Sequence, residues 1–272
     1  MNHWLGSLFQ RNAHSIPRRL YFSLLPKLKG VFSKRQSVHF VSINGRRYKR
    51  VVLGDSLEAE KIEDALECAP VEAGFPELIE RHENELLLTF VEGRRFEPAS
   101  PEDRVGLARF LGALYSMPRT VQSSDRLRRR FDIDVGFLHS AGLIDSGLHR
   151  ALQERADSVQ PPEVEFGLDY TDPVAKNFVI SGERLYAIDV ECLQRGTPIG
   201  TAVAKAGIHW LPREQLAEFL EGVEQRSGNV IRPQFPFVEL CFLVAWTKRK
   251  LLGGRHRAIR IELLEELLRA EA

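Results

Sequence analysis

The segment LDYTDPVAKNFVISGERLYAIDVE, residues 168–191, constrains this chain more than any other. It is core-like in composition, yet it carries three hard oxygen side chains, Asp172, Asn177 and Asp189, spaced five and twelve residues apart. Ser181-Gly182 reads as the turn of a hairpin, FVI-SGER-LYAID, that brings Asp189 back toward Asn177. Carboxylate and carboxamide oxygens suit a hard divalent cation such as Mg²⁺. Asp, Asn and Pro are also ordinary turn formers, so the loop alone does not separate a site from a plain connection.

The flanking sequence supplies the context. From residue 38 the pattern is that of strands, VHFVSI and RRYKRVVL, separated by Asn44-Gly45, the dipeptide of a two-residue hairpin turn. SLEAEKIEDALE, at about 56–67, reads as a helix with Leu57, Ile62 and Leu66 apolar, and residues 78–90 read as two further strands. Beyond residue 100 the pattern becomes helical. Ser100 is a candidate cap for the helix that starts at Pro101, and REQLAEFLEGVEQ, Phe237 to Lys250 and the amphipathic IELLEELLRAEA continue the series. A length of 272 residues with 43% hydrophobic content accommodates one large domain or two lobes sharing a cleft.

A small sheet with one helix, a connecting strand, and a helical half carrying D-x4-N and then an apolar strand ending in Asp together resemble the protein-kinase-like superfamily. The likeness is to its small-molecule and glycan kinases, of the aminoglycoside phosphotransferase and lipopolysaccharide-core kinase type. It implies an α+β, two-lobed fold, with a small antiparallel β-sheet lobe bearing one helix and a larger, mainly helical lobe. The expected organisation is a basic amphipathic segment over 1–37, a nucleotide-binding lobe over 38–93 with its hinge at 89–93, and a helical lobe over 94–272. That last lobe would hold the catalytic loop 170–177 and the metal-binding strand 185–191.

Site roles follow from the resemblance and from what phosphoryl transfer requires, which is mainly positioning and charge stabilisation. Asp172 is the expected catalytic carboxylate on the acceptor hydroxyl. Asn177 and Asp189, with Glu191 as a further acid, are the expected Mg²⁺ ligands. Lys49 is the expected phosphate-contacting cation and Glu60 its helix-borne partner, with Arg50 and Glu63 as rivals because strand phase is open; Phe90 and Val91 would present backbone groups to the adenine of ATP. Tyr170 stands where relatives carry His, a largely architectural position beneath the metal-binding strand. No G-x-G-x-x-G loop occurs, leaving the Asn44-Gly45 turn to cover the phosphates. The departures keep a second reading open, a catalytically weak kinase-like nucleotide-binding or regulatory protein.

Charge narrows the acceptor. The net charge is +1, but residues 1–54 hold eleven Lys and Arg and no Asp or Glu, while the remainder has 27 basic against 37 acidic residues. Within 1–37 apolar residues recur at helical spacing, the pattern of a segment that lies on an anionic membrane or docks on its own domain. Further basic runs occur at Arg126 to Arg130 and from Trp246. These argue against a polycationic acceptor and toward a sugar or glycolipid, such as lipopolysaccharide core. No nucleic-acid reader motif accompanies the charge, so no nucleic acid is expected as partner. Three unpaired-looking cysteines, no secretory leader and no spanning segment predict a cytoplasmic protein, peripheral on the inner membrane face if the basic segment binds lipid.

Overall fold

The computed structural model describes residues 37–269; the basic amphipathic segment expected over 1–37 lies outside them apart from Ser37. Strands β1 (Ser37–Ile43) and β2 (Arg46–Val52) pair antiparallel across Asn44-Gly45. Both turn residues have positive φ, 51° and 76°, as a type I′ turn demands. Helix α1 (Ser56–Glu67) starts at Asp55, whose Oδ1 accepts the Glu58 N–H at 2.8 Å. Strands β3 (Leu78–His82) and β4 (Glu85–Thr89) complete a four-stranded sheet of order β1-β2-β4-β3. Its core is Val51, Leu53, Ala59, Ile62, Leu86 and Leu88, joined by Val190, so the residue after Asp189 is anchored in the small sheet's own hydrophobic cluster.

The connection then crosses to the helical half. The two-residue strand β5 (Arg94–Arg95) pairs with β8 (Phe178–Ser181), which pairs with β9 (Arg184–Ala187), the hairpin expected around Gly182. Gly93 is required here: a Cβ would sit 2.1 Å from the Ile180 carbonyl oxygen. Helix α2 (Pro101–Tyr115) begins at the cap Ser100, whose side chain accepts the Asp103 N–H at 3.3 Å. A third sheet, β10 (Leu193–Pro198), β7 (Glu163–Tyr170) and β6 (Thr120–Ser123), was not legible in the sequence. β6 is exposed throughout and β7 is almost wholly buried, so neither shows the alternation by which half-buried strands are recognised. Helices α5 (Thr201–His209) and α6 (Arg213–Ser227) pack with α2 on the main core, around Leu107, Leu111, Tyr170, Phe178, Val203 and Val223.

By packing, the chain divides into two compact units. One, Lys34–Arg126 with Val159–Phe242, contains all three sheets and every candidate residue named above. In the other, nearly all of α3 (Asp125–Ser140) and α4 (Ser146–Val159) joins the end of α7 (Phe235–Leu252) and α8 (Ile261–Arg269). There the buried Asp134 accepts from Lys248 at 2.5 Å and from Arg130 at 3.3 Å. Arg128 pairs with Asp132 and Asp157. The arginine run is therefore in part a helix face neutralised by its own carboxylates. Among the described residues, no helix is long and apolar enough to cross a membrane.

Candidate active site

A cleft of about 540 Å³ opens below the small sheet. Its walls include Phe40 and Lys49 from the hairpin, Phe90 and Val91 from the connection, and Asn177, Ile188 and Asp189 from the opposite side. Strand pairing settles the phase of β2: Lys49 is half-buried and points in, whereas Arg50 is exposed and forms two hydrogen bonds to Glu85, at 2.8 and 2.6 Å. The Lys49 ammonium donates to the Ile188 carbonyl at 2.6 Å. Burial lowers its pKa, opposed by the charges of Asp189 and Glu191.

The expected partner on α1 is not where the sequence reading put it. Glu60 is exposed, and Glu63 is paired with Arg81. The helix presents Ala59, Ile62 and Ala65 to the core, which turns Glu60 to solvent; Lys49 is balanced instead by carboxylates of the segment 189–191. Glu191 does not line the cleft. It faces a second hollow with Asp55, Leu57, Glu58 and Lys61, and its charge favours the charged form of Lys49.

The loop 171–177 is tightly organised. The Asn177 side-chain amide donates to the Asp172 carbonyl at 2.9 Å and lies 3.4 Å from Asp172 Oδ2. Asn177 is buried, and its own carbonyl accepts the Ile188 N–H at 2.9 Å, placing the Asn177 and Asp189 backbones side by side. The Thr171 N–H donates to the Cys192 carbonyl at 2.8 Å. Burial, reinforced by Asp189 and Asp172, pushes the Cys192 thiol far up, which keeps it a neutral packing group. Asp172 stands just beyond the cleft lining, one hydrogen bond away through Asn177.

Asp189 and Asn177 offer two hard oxygen donors at the end of the cleft where Lys49 lies. Mg²⁺ bound with a nucleotide takes one or two protein oxygens and completes its shell from phosphates and water, so this donor set fits it. Among the described residues, no group of three or more His, Cys, Asp or Glu side chains could hold a metal by itself. Elsewhere along the lining, the Arg47 guanidinium lies 3.9 Å from the Phe90 ring centre and Phe40 packs edge-on against Phe90 at 5.5 Å. The Phe90 N–H is committed to the Arg47 carbonyl at 3.3 Å, which leaves the Phe90 carbonyl and Val91 as the backbone groups for an adenine edge. The Asn44-Gly45 turn, two residues from Arg47, is not among the residues that line the cleft.

Tyr170 takes the architectural place expected of it. It is fully buried among Phe75, Phe110 and Phe178, with ring centres 5.2–6.4 Å apart. Burial pushes its phenol pKa well above the usual value against a weak pull from the Asp189 backbone, and its hydroxyl makes no hydrogen bond of ordinary geometry.

Three polar residues in this region, Asp169, Tyr115 and Lys205, have roles that the sequence did not reveal. Asp169 is fully buried; Oδ1 accepts from Tyr115 Oη at 3.0 Å and from the Tyr170 N–H at 2.7 Å, and Oδ2 from the Ala202 N–H at 3.1 Å. Burial pushes its pKa up to about 7 against the pull of these donors. Lys205, on α5, sits 3.1 Å from Asp172 Oδ1. For the two charged residues the signal was present, a single charge inside an apolar run: LDY for Asp169 and TAVAKAGI for Lys205.

The architecture defines a class. No protein-family model and no curated protein matches the chain, but solved structures do. A macrolide 2′-phosphotransferase from Brachybacterium faecium superposes with a TM-score of 0.63 at 13% identity, over 92% of this chain and 99% of that one. An aminoglycoside phosphotransferase in ternary complex with ADP and hygromycin B gives 0.58 at 15% identity, over 91% and 98%. A choline kinase from Streptococcus pneumoniae gives 0.60 at 12% identity, over 86% and 90%. The chain thus has the α+β, two-lobed protein-kinase-like fold. That fold is shared by the phosphotransferases and the choline kinase to which it is similar.

Proposed function

We propose that this protein is an ATP-dependent phosphotransferase that phosphorylates a hydroxyl of a sugar or glycolipid. The observation that carries the reading is the convergence of Lys49, Asn177 and Asp189 on one cleft with Asp172 hydrogen-bonded at its edge. Asp172 orients the acceptor hydroxyl and takes its proton as the acceptor oxygen bonds to the γ-phosphorus and the bond from that phosphorus to the bridging oxygen breaks, ADP leaving with the bonding pair. Lys49 binds the phosphates of ATP, and Phe90 and Val91 flank its base. Asn177 and Asp189 would hold Mg²⁺, which supplies charge neutralisation on the phosphates. Glu191 acts at a distance, favouring the charged form of Lys49.

The absence of a His before the loop does not favour mere nucleotide sensing, because Tyr170 fills that position as a packing group. The eleven Lys and Arg and absent Asp and Glu of residues 1–54 support a sugar or glycolipid acceptor near an anionic surface. Metal-dependent nucleotide binding and slow ATP hydrolysis by purified protein test the reading. Binding should be lost in Asp189→Ala and turnover in Asp172→Ala; a wild-type protein that binds no nucleotide at any Mg²⁺ concentration would refute it. Deleting residues 1–36 should abolish binding to anionic vesicles while sparing nucleotide binding, and unchanged vesicle binding would remove the membrane element.

A further inference from the structure

Lys205 is the only charged residue of the first seven in α5, TAVAKAG, and its side chain is 13% exposed. A lysine reaches such a position at a desolvation cost that a passing surface ion pair does not offset. Its partner is Asp172, at 3.1 Å from Nζ to Oδ1. The ammonium thus lies directly against the carboxylate that faces the acceptor, a position from which it can meet more than that one carboxylate.

The placement of Lys205 is enforced from both ends. Asp169 binds the first turn of α5 through the Ala202 N–H, and Tyr115 Oη, which donates to Asp169, also accepts the Gly200 N–H at 3.2 Å. Ala202 and Lys205 are three residues apart on a helix and share a face; Asp169 and Asp172 are three apart on the chain that leaves β7. Two contacts, Asp169 to Ala202 and Lys205 to Asp172, therefore brace α5 against the loop like a pair of rungs.

We propose that Lys205 is a catalytic residue of the acceptor side, holding Asp172 in orientation and sharing its charge with the phosphoryl group during transfer, with Asp169 and Tyr115 as the positioning residues that set it there. The acceptor oxygen lies between Asp172 and the incoming phosphorus, so a cation on Asp172 is within reach of the oxygens whose charge is redistributed in the transition state. A fixed ammonium in a partly dehydrated site stabilises that charge without reorganising. Lys49 does this from the nucleotide side and Lys205 would do it from the other, with the reacting centre between them.

The inference rests on the phosphotransferase reading, and the experiment separates the two. ATP hydrolysis, with water as acceptor, and nucleotide affinity are measured on the full chain with Mg²⁺. Lys205→Gln keeps a long side chain and a hydrogen-bond donor but removes the charge; it should lower kcat about 10²–10³-fold while the nucleotide Kd stays within about twofold. Lys205→Arg should restore a substantial part of the rate. Combined with Asp172→Asn, Lys205→Gln should add far less than its single effect, since the two act as a unit. Asp169→Asn, by loosening α5, should lower kcat with little change in nucleotide Kd. A Lys205→Gln rate within threefold of wild type, or above it, overturns the inference and leaves the phosphotransferase reading intact. A wild type that binds nucleotide but never hydrolyses it overturns both.

Discussion

The Lys49 ammonium donates a 2.6 Å hydrogen bond to the carbonyl of Ile188, the residue before Asp189. Through it, the strand expected to contact phosphate holds the segment expected to bind metal, and the helix glutamate that sequence reasoning assigned to this task is uninvolved. Lys49→Met should therefore weaken nucleotide binding and lower hydrolysis about 10²–10³-fold. Parallel titration and turnover measurements check this; equal nucleotide affinity in variant and wild type would remove Lys49 from the phosphate site.

Asp169 gives a pH dependence whose sign is fixed by its burial. Its folded pKa, about 7, lies above its ordinary value of 3.8. The unfolded chain releases this proton near pH 4 and the folded chain only near pH 7, so the folded state binds the extra proton between those values. Its contribution to stability is complete below about pH 4 and declines as pH rises to 7, by about 1.4 kcal/mol for each step of one in pH. Melting temperatures between pH 4.5 and 8 should fall in wild type and flatten in Asp169→Asn. Identical pH profiles would show that Asp169 does not titrate in this window.

Tyr170 carries a buried hydroxyl with no hydrogen bond of ordinary geometry, the Asp189 backbone interacting with it only weakly. Tyr170→Phe removes that group and keeps the ring contacts, so stability should be unchanged or higher by up to about 1 kcal/mol, with hydrolysis retained. Tyr170→Ala should lose about 3–5 kcal/mol through the cavity it opens. Urea unfolding of the pair distinguishes a packing role from a polar one; a strongly destabilised or inactive Phe variant would assign the hydroxyl a function.

Gly93 is placed for close approach. Because a Cβ would lie 2.1 Å from the Ile180 carbonyl oxygen, Gly93→Ala must displace the connection from β8. The expected loss is about 1–3 kcal/mol in unfolding free energy, with weakened nucleotide binding because Phe90 and Val91 lie on the same segment. Wild-type stability in the variant would mean that the connection can shift freely.

Much of the fold was legible because local signals agreed with the tertiary result. Asn44-Gly45 between alternating strands, Ser100 before Pro101, and the apolar spacing of 56–67 each specify a local geometry that needs no distant partner. Asp172, Asn177 and Asp189 were legible for a similar reason, since one short loop and one hairpin bring them together. What lay hidden depends on partners far along the chain. The sheet β10-β7-β6 joins strands around residues 120, 166 and 196, one exposed and one buried on both faces, and neither shows the period of two.

By itself, then, the sequence determined the hairpins, most of the long helices and the spacing that brings the oxygen-bearing side chains Asp172, Asn177 and Asp189 into one loop and hairpin, all set by backbone chemistry within a few residues. Only the tertiary structure decided which way each charge faces. It turned Lys49 inward and Arg50 outward, sent Glu60 to solvent and Glu191 to a separate hollow, and set Lys205 on Asp172 across 33 positions of chain. The physical reason is that the facing of a side chain follows from which hydrophobic surface its element buries. Ala59, Ile62 and Ala65 fixed the rotation of α1, and Asp169, holding the first turn of α5, fixed the placement of Lys205.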